Sequence, residues 1–342
     1  MGVTADTFSE TTSQGRRPIR DLGLTIAGTR LEPILETFEK ELAARGLTRV
    51  RPRFYLSTEW GVPDGTVAIA VPFYLARPEL ARLHRERTGH VEGASEADIL
   101  RYLRHEMGHV VNYAYKLFER GEWVEKFGAI TQPYVEEYTP RPFSKRYVRH
   151  LPGWYAQKHP DEDWAETFAV WMTPGLDWRA AYDGWPEALA KLETCARFVE
   201  EVREREPLVT DDELDEDVGE IGLSLDELYA DSDDAEALPA GVDGALRSIF
   251  DEDVSPASDG GEARPAGLLL ERLAPELAPT VYRWTGHFPE RTHDLVRQMA
   301  RRAVELGLGY GAAHEITVTV AVTTLVTALA MNHVLGGNYV SP

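Results

Sequence analysis

The chain is 342 residues long with 43% hydrophobic and 10% aromatic residues, a composition that can bury one large core or two ordinary ones and excludes a wholly disordered chain. Its formal charge of −21 argues against a polyanion such as nucleic acid as partner. A single cysteine, Cys195, excludes an internal disulfide framework and a cysteine-held metal cluster, and fits a reducing, cytoplasmic setting. The charge is local: residues 211 to 262 hold 19 acidic residues against Arg247 alone, a net −18, which leaves −3 for the rest.

The first 17 residues carry no apolar run after a basic start, so they read as a disordered lead-in rather than a secretory signal. A helix is predicted over 30 to 44, where Leu31, Ile34, Leu35, Phe38 and Leu42 recur at helical spacing behind a Thr29/Glu32 capping box, with Gly46 as its stop. Two strand-like runs follow, 49 to 57 and 65 to 75, separated by a Trp-Gly-Val-Pro-Asp-Gly turn region, with Pro72 placing the second at a sheet edge. A long helix is expected from 94 to 119, an irregular, proline-interrupted excursion from 121 to 158, and further helices from 160 to 172 and 185 to 205. The acidic stretch, 208 to 265, reads as a solvated linker. Leu214, Val218, Ile221, Leu225 and Leu228 keep a helical rhythm within it that could form a short docking helix. From 266 to 342 helical patterns return; the apolar run 316 to 331 is short for a membrane span and carries five threonines, so it is expected to be a buried core helix, with no membrane contact.

The chemistry is concentrated in "RYLRHEMGHVVNY", residues 101 to 113. On a helix His105 and His109 lie about 40° apart, so both imidazoles can reach one ion, while Ile99, Leu103, Met107, Val110, Ala114 and Leu117 fill the far side. Glu106 lies beside the histidine face, where it can act on a zinc-bound water as general base. A third ligand decides between a metal centre and chance. One class of zinc hydrolase takes a histidine six residues on; here Asn112 and Tyr115 occupy the diagnostic positions and exclude it. Another takes a glutamate from a later helix, and "HPDEDWAETFAVWM" (159 to 172) supplies Glu162 and Glu166 on one stripe among alanines. Asp161 and Asp163 read as complements to the positive end of that helix. We assign Glu162 as ligand and Glu166 as acceptor for a ligand histidine's other nitrogen, the reverse order remaining open on the residues alone.

The combination of "HEMGH" with "HPDEDWAETFAVW" resembles a bacterial family of zinc-binding metallopeptidases and, more distantly, the gluzincins, thermolysin and anthrax lethal factor among them. The resemblance extends through "IRDLGLTIAGTRLEP", "VAIAVPFYLARP", "RPFSKRYVRHLPGWYAQKHP" and the C-terminal "RWTG…MNHVL". It implies that the first acid of the ExxxE pair binds zinc and the second supports a histidine, matching Glu162 and Glu166. It also implies that Tyr155, seven residues before the ligand glutamate, stabilises the oxyanion. The 53 positions between His109 and Glu162 far exceed the thermolysin spacing, so substrate-pocket residues are not carried over.

These readings give an α+β, zincin-like metallopeptidase domain over 18 to 207, a small mixed sheet with an edge strand above the HExxH helix, an acidic linker over 208 to 265 and a helical C-terminal region. One catalytic Zn2+ is expected on His105, His109 and Glu162. The substrate is a peptide or protein, which could pair as an added strand with Val67, Ala68, Ile69 and Ala70. The alternative is a catalytically inactive, zinc-containing peptide-binding module. The acidic stretch could dock within the molecule on the basic segment 141 to 150.

Overall fold

The computed structural model describes residues 16–135, 138–230, 238–252 and 263–339. The fold is mixed α+β, mostly helical with two small sheets. Except for Arg16 and Arg17, the lead-in lies outside the described residues.

Helix α1 (Leu31–Ala44) buries Leu31, Ile34, Leu35, Phe38 and Leu42, the face expected from their spacing. Its start differs from a reciprocal capping box by one residue on each side. The Thr29 hydroxyl accepts from Leu31 N (3.2 Å), Gly28 N donates to the Glu32 carboxylate (2.9 Å), and Arg30 is the cap residue. Strands β1 (Arg53–Ser57) and β2 (Ala68–Pro72) pair in parallel, with Phe54 opposite Ile69, and β2 ends at Pro72, which has no N–H for a ladder. Helix α2 (Pro78–Thr88) leads to α3 (Glu96–Tyr115), capped by Ser95, whose hydroxyl accepts from Asp98 N. Lys116 takes a left-handed conformation (φ +49) and ends α3 short of the expected 119, and Leu117–Glu119 continue as a tighter turn.

The stretch expected to be irregular contains a short helix, α4 (Gly121–Phe127). Trp123 and Phe127, four apart, bury one side of it, and the Phe127 ring meets Trp164 edge-on. Helix α5 (Pro160–Met172) starts with proline at its first turn and His159 as cap, and lies against α3. After α6 (Trp178–Ala181), α7 (Pro186–Val202) closes the same core through Phe198, Val199 and Val202.

Residues 208–230 are folded rather than solvated. Leu208 N and Val209 N donate to Ala114 O, Val67 N to Asp211 O (2.7 Å) and Val218 N to Leu56 O (2.8 Å), while Ile221 O and Leu223 O accept from Arg20 N and Ile19 N. The apolar residues that suggested a docking helix therefore anchor a largely extended run: Val218 and Leu225 join the first core, and only α8 (Leu225–Leu228) is helical, with a Ser224/Glu227 capping box. The run lies on the β1 side, where Asp212 pairs with Arg53 (3.5 Å) and Glu216 accepts from the Thr58 hydroxyl (2.6 Å). In the basic segment, by contrast, Arg146 pairs with Glu187 and Arg149 stacks over Trp154 and Trp185. Other parts of the linker, 231–237 and 253–262, lie outside the described residues.

A second core follows. It is built from α9 (Val242–Ile249), α10 (Ala266–Thr285), α11 (Pro289–Glu305) and α12 (Glu315–Gly336), with the antiparallel strands β3 (Asp251–Glu252), β4 (Ala263–Pro265) and β5 (Leu308–Gly311) in the order β3-β5-β4. Helix α12 is long and apolar enough to cross a membrane. It buries Val318, Val322, Leu325, Val326, Leu329 and Ala330, yet Ile316 is 82% and Val320 60% exposed, so it is a core helix on one face only.

Candidate metal centre

Helices α3 and α5 build the site because they can approach closely. A Cβ built on Gly108 would sit 2.6 Å from the Ala165 Cα, and the Trp164 indole N–H donates to Gly108 O (2.8 Å). Ala165, one of the alanines of the Glu162/Glu166 stripe, permits this close contact, and Trp164 reaches back to the α3 backbone. Helix α3 is covered on both faces. It is buried from Ile99 to Tyr115 apart from Arg101 and Arg104, and its histidine face is covered by α5 and opens only into the cleft.

The three expected ligands converge. His105 Nε2 lies 2.9 Å from Glu162 Oε2, His109 Nε2 lies 3.4 Å from the same oxygen, and the two Nε2 atoms are 3.3 Å apart. Bonds of about 2.0–2.1 Å in a tetrahedron set ligand atoms about 3.3–3.4 Å apart, so the nitrogen pair and the His109–Glu162 pair have zinc spacing and the remaining pair is slightly closer. The donor set, two imidazole nitrogens and one carboxylate oxygen, is that of a catalytic zinc site with one position left for a reactant.

Both histidines have their other nitrogen held by a carboxylate. His105 Nδ1 donates to Glu166 Oε1 (3.0 Å), and the Glu166 carboxylate is fixed in turn by His150 N (2.9 Å) and Leu151 N (3.0 Å). His109 Nδ1 donates to Asp161 Oδ2 (2.8 Å), which also accepts from the Tyr113 hydroxyl (2.6 Å), while Asp161 Oδ1 accepts from Asn112 Nδ2 (2.7 Å). Asp161 is thus no mere complement to a helix end, and Asp163, given the same reading, turns inward to Lys191 (2.5 Å). Holding Nδ1–H in this way presents Nε2 as the free lone pair.

The electrostatics show how strongly the pocket draws positive charge, which protons on the imidazoles meet when no ion is bound. Burial alone would lower the His105 pKa, but the hydrogen bonds to Glu162 and Glu166 push it up to about 10, and His109 is likewise raised by Asp161 and Glu162 against its burial. Glu162 is held well below the usual carboxylate range, its burial outweighed by the two imidazoles. Four carboxylates, Glu106, Asp161, Glu162 and Glu166, gather around two histidines, an excess of negative charge that a divalent cation would partly offset.

Glu106 is buried and lines the cleft beside His105 and His109; burial raises its pKa, partly offset by the two histidines. Tyr155 is in the same cleft, its ring 5.5 Å from that of His105 and its hydroxyl 3.4 Å from that of Tyr134. Tyr134 donates to Glu162 Oε1 (2.7 Å), leaving Oε2 for the histidine side. The cleft encloses about 870 Å³. Its other wall is the Glu59–Gly65 segment, together with Asp215 from the acidic run.

Val67, Ala68, Ile69 and Ala70 do not line it. All four are buried, and the edge position beside β2 is occupied by Gly61, whose carbonyl accepts from Ala70 N (2.8 Å). The chain after β1 folds back along β2, so the surface facing the metal residues is 59–65 rather than 67–70.

Asp161, Asn112, Tyr113 and Tyr134 carry contacts that sequence reasoning missed. The signal for Asp161 existed, since it directly precedes the ligand glutamate, but the start of a helix explains an acid there without any site. Tyr134 comes from a loop without periodicity.

Comparison with curated proteins and with solved structures finds no match. The model of the family described as "Putative zinc-binding metallo-peptidase" matches residues 62–183, which include His105, Glu106, His109, Tyr155, Glu162 and Glu166, so over these residues the chain is similar to that family.

Proposed function

We propose that the chain is a zinc-dependent peptidase of the gluzincin type, with a zincin-like domain over about residues 18–207, hydrolysing peptide bonds with Glu106 as general base. The observation that carries this reading is the convergence of His105, His109 and Glu162 on one point, with Glu106 buried in the same cleft. His105, His109 and Glu162 hold the ion, which when bound supplies Lewis-acid polarisation and makes water acidic enough to react at neutral pH. Glu106, its pKa raised by burial, takes the proton from the attacking water and returns it to the leaving amine, a role that needs a carboxyl poised nearer neutrality than an exposed one. The Tyr155 hydroxyl, kept protonated by burial and the charge of Glu162, is a hydrogen-bond donor toward the oxygen that becomes negative. The cleft between residues 59–65 and the Tyr134/Tyr155 side has room for several residues of an extended peptide.

Glu106→Gln is the discriminating variant. It should retain one zinc per chain while cleavage of a peptide library falls by about 10²–10⁴-fold, the usual worth of a positioned base. Equal zinc-dependent cleavage in both proteins would refute the mechanism. Absence of cleavage in both, with a peptide retained on the zinc-loaded protein, would establish a binding module instead.

A further inference from the structure

Tyr155 owes its direction to an unusual turn. Gly153 (φ +80) and Trp154 (φ +64) are both left-handed within the tight helical turn Pro152–Gln157, a conformation that a tryptophan rarely adopts unless its surroundings impose it. Those surroundings come partly from beside the turn. Arg149 lies over the Trp154 ring (4.1 Å), Phe143 meets it edge-on, and the Tyr138 hydroxyl donates to Gly153 O (2.8 Å). The remainder comes from the helical C-terminal region, because α10 lies along the turn and Tyr282 is pressed against Gly153. A Cβ built on Gly153 would stand 2.3 Å from Tyr282 Cε2 and 2.4 Å from Cζ, so that ring occupies the space any side chain at 153 would need. Gly286, which ends α10 at φ +78, brings the chain back against Gly153 O and Pro140, closing the contact from the other end.

We infer that Tyr282 is a positioning residue for Tyr155, supplied to the metal centre by the C-terminal helices through the Gly153–Trp154 turn. Tyr282 touches Gly153, two residues before Tyr155. The turn ends where Tyr155 stands against the His105 ring and the Tyr134 hydroxyl, so rotation at 153–154 would carry the Tyr155 hydroxyl away from the cleft. The inference rests on the peptidase reading for the role of Tyr155, and on packing alone for the hold on the turn. The ring atoms Cε2 and Cζ come nearest to that Cβ position, with the hydroxyl oxygen just beyond them at 2.5 Å; phenylalanine keeps the ring and should therefore serve as well as tyrosine.

The test uses the full-length, zinc-loaded chain with Tyr282→Phe, Tyr282→Ala, Tyr155→Phe and the Tyr282→Ala/Tyr155→Phe double variant. Two readouts are taken: hydrogen exchange of the amides at 153–156 and cleavage of a peptide that the wild type cuts. Tyr282→Phe should match wild type in both. Tyr282→Ala should keep its zinc, exchange the 153–156 amides at least about tenfold faster and lose kcat by about 10- to 100-fold at unchanged KM, approaching the loss of an oxyanion donor. The double variant should be no slower than Tyr155→Phe alone, because the two changes remove one function. Unchanged exchange, or losses that multiply in the double variant, would overturn the inference. If Tyr282→Ala does not fold, Gly153→Ala probes the same contact from the other side, and wild-type exchange in that variant would be equally damaging. Absence of zinc-dependent cleavage by the wild type would defeat the peptidase reading and with it the role given to Tyr155. The exchange comparison would still decide whether Tyr282 holds the turn.

Discussion

At the scale of single residues, the centre is defined as much by what orients the ligands as by the ligands. Asp161 and Glu166 do the same thing for different histidines, each accepting from Nδ1 so that Nε2 faces Glu162. Asp161 is the more exposed to test, because its carboxylate is also the meeting point of Tyr113 and Asn112. Replacing it with asparagine keeps the shape but can present an N–H where His109 needs an acceptor. Asp161→Asn should therefore weaken zinc binding by about 10- to 100-fold, read by competition against a chelator of known affinity. An unaltered affinity would show that His109 needs no such partner. His105, Glu106, His109 and the Glu162/Glu166 pair were legible in the sequence because a helix fixes the angle between neighbours of known spacing, and one later stripe offered glutamates among small residues; the order within that pair came from the resemblance. Asp161 was not, because the same position satisfies a helix dipole. Tyr134 and Tyr113 were not, because their partners lie 28 and 48 positions away and no local pattern encodes that.

Between elements, the contact that matters is α3 against α5 at Gly108. Two effects oppose each other when a methyl group is added there. Alanine is better than glycine inside a helix by about 1 kcal/mol, whereas forcing a Cβ to 2.6 Å from the Ala165 Cα must push two buried helices apart, and overpacking of that kind costs about 1–3 kcal/mol. The packing term should win. Gly108→Ala is expected to lower the unfolding midpoint and, by separating Glu162 from His105 and His109, to weaken zinc binding; a raised midpoint with full zinc affinity would show that the helices can yield. The helices themselves were readable, since α1, α3, α5 and α7 show apolar spacing and start or stop at Ser95, Pro160, Pro186 or Gly46. The short helix α4 was hidden, because Trp123 and Phe127 give one apolar pair and no periodicity. The run 208–230 misled in the opposite direction. Its acids face solvent as a linker's would, yet Val218 and Leu225 are each buried, and its backbone bonds go to Leu56, Val67, Ile19 and Arg20, partners that only the folded chain brings near.

For the whole molecule, the decisive feature is that the two cores are joined along a seam of polar and aromatic side chains rather than left apart on a tether. Tyr282 belongs to that seam, as do Tyr74, Tyr102, Glu92 and Glu290. Glu92 gives it a measurable signature. Burial, and then the charge of Glu290, push its carboxyl up to about 7, although a hydrogen bond with Tyr102 works in the opposite direction. An acid whose folded pKa lies above its unfolded value of about 4.5 binds more protons in the native state than in the unfolded one over that interval. Its contribution to stability is therefore present at the acid side and is lost as pH rises through about 7. Glutamine keeps the shape of the protonated acid without the charge. With the metal centre saturated to silence its own titrations, Glu92→Gln should melt close to wild type at pH 5 and above it at pH 8, the gap opening between about 4.5 and about 7 and levelling off above that. Thermal denaturation of both proteins at pH 5, 6.5 and 8 measures that gap directly. A constant difference over the three values would mean that Glu92 stays ionised in the fold, and that the seam is open enough to water for the two cores to be only loosely joined there.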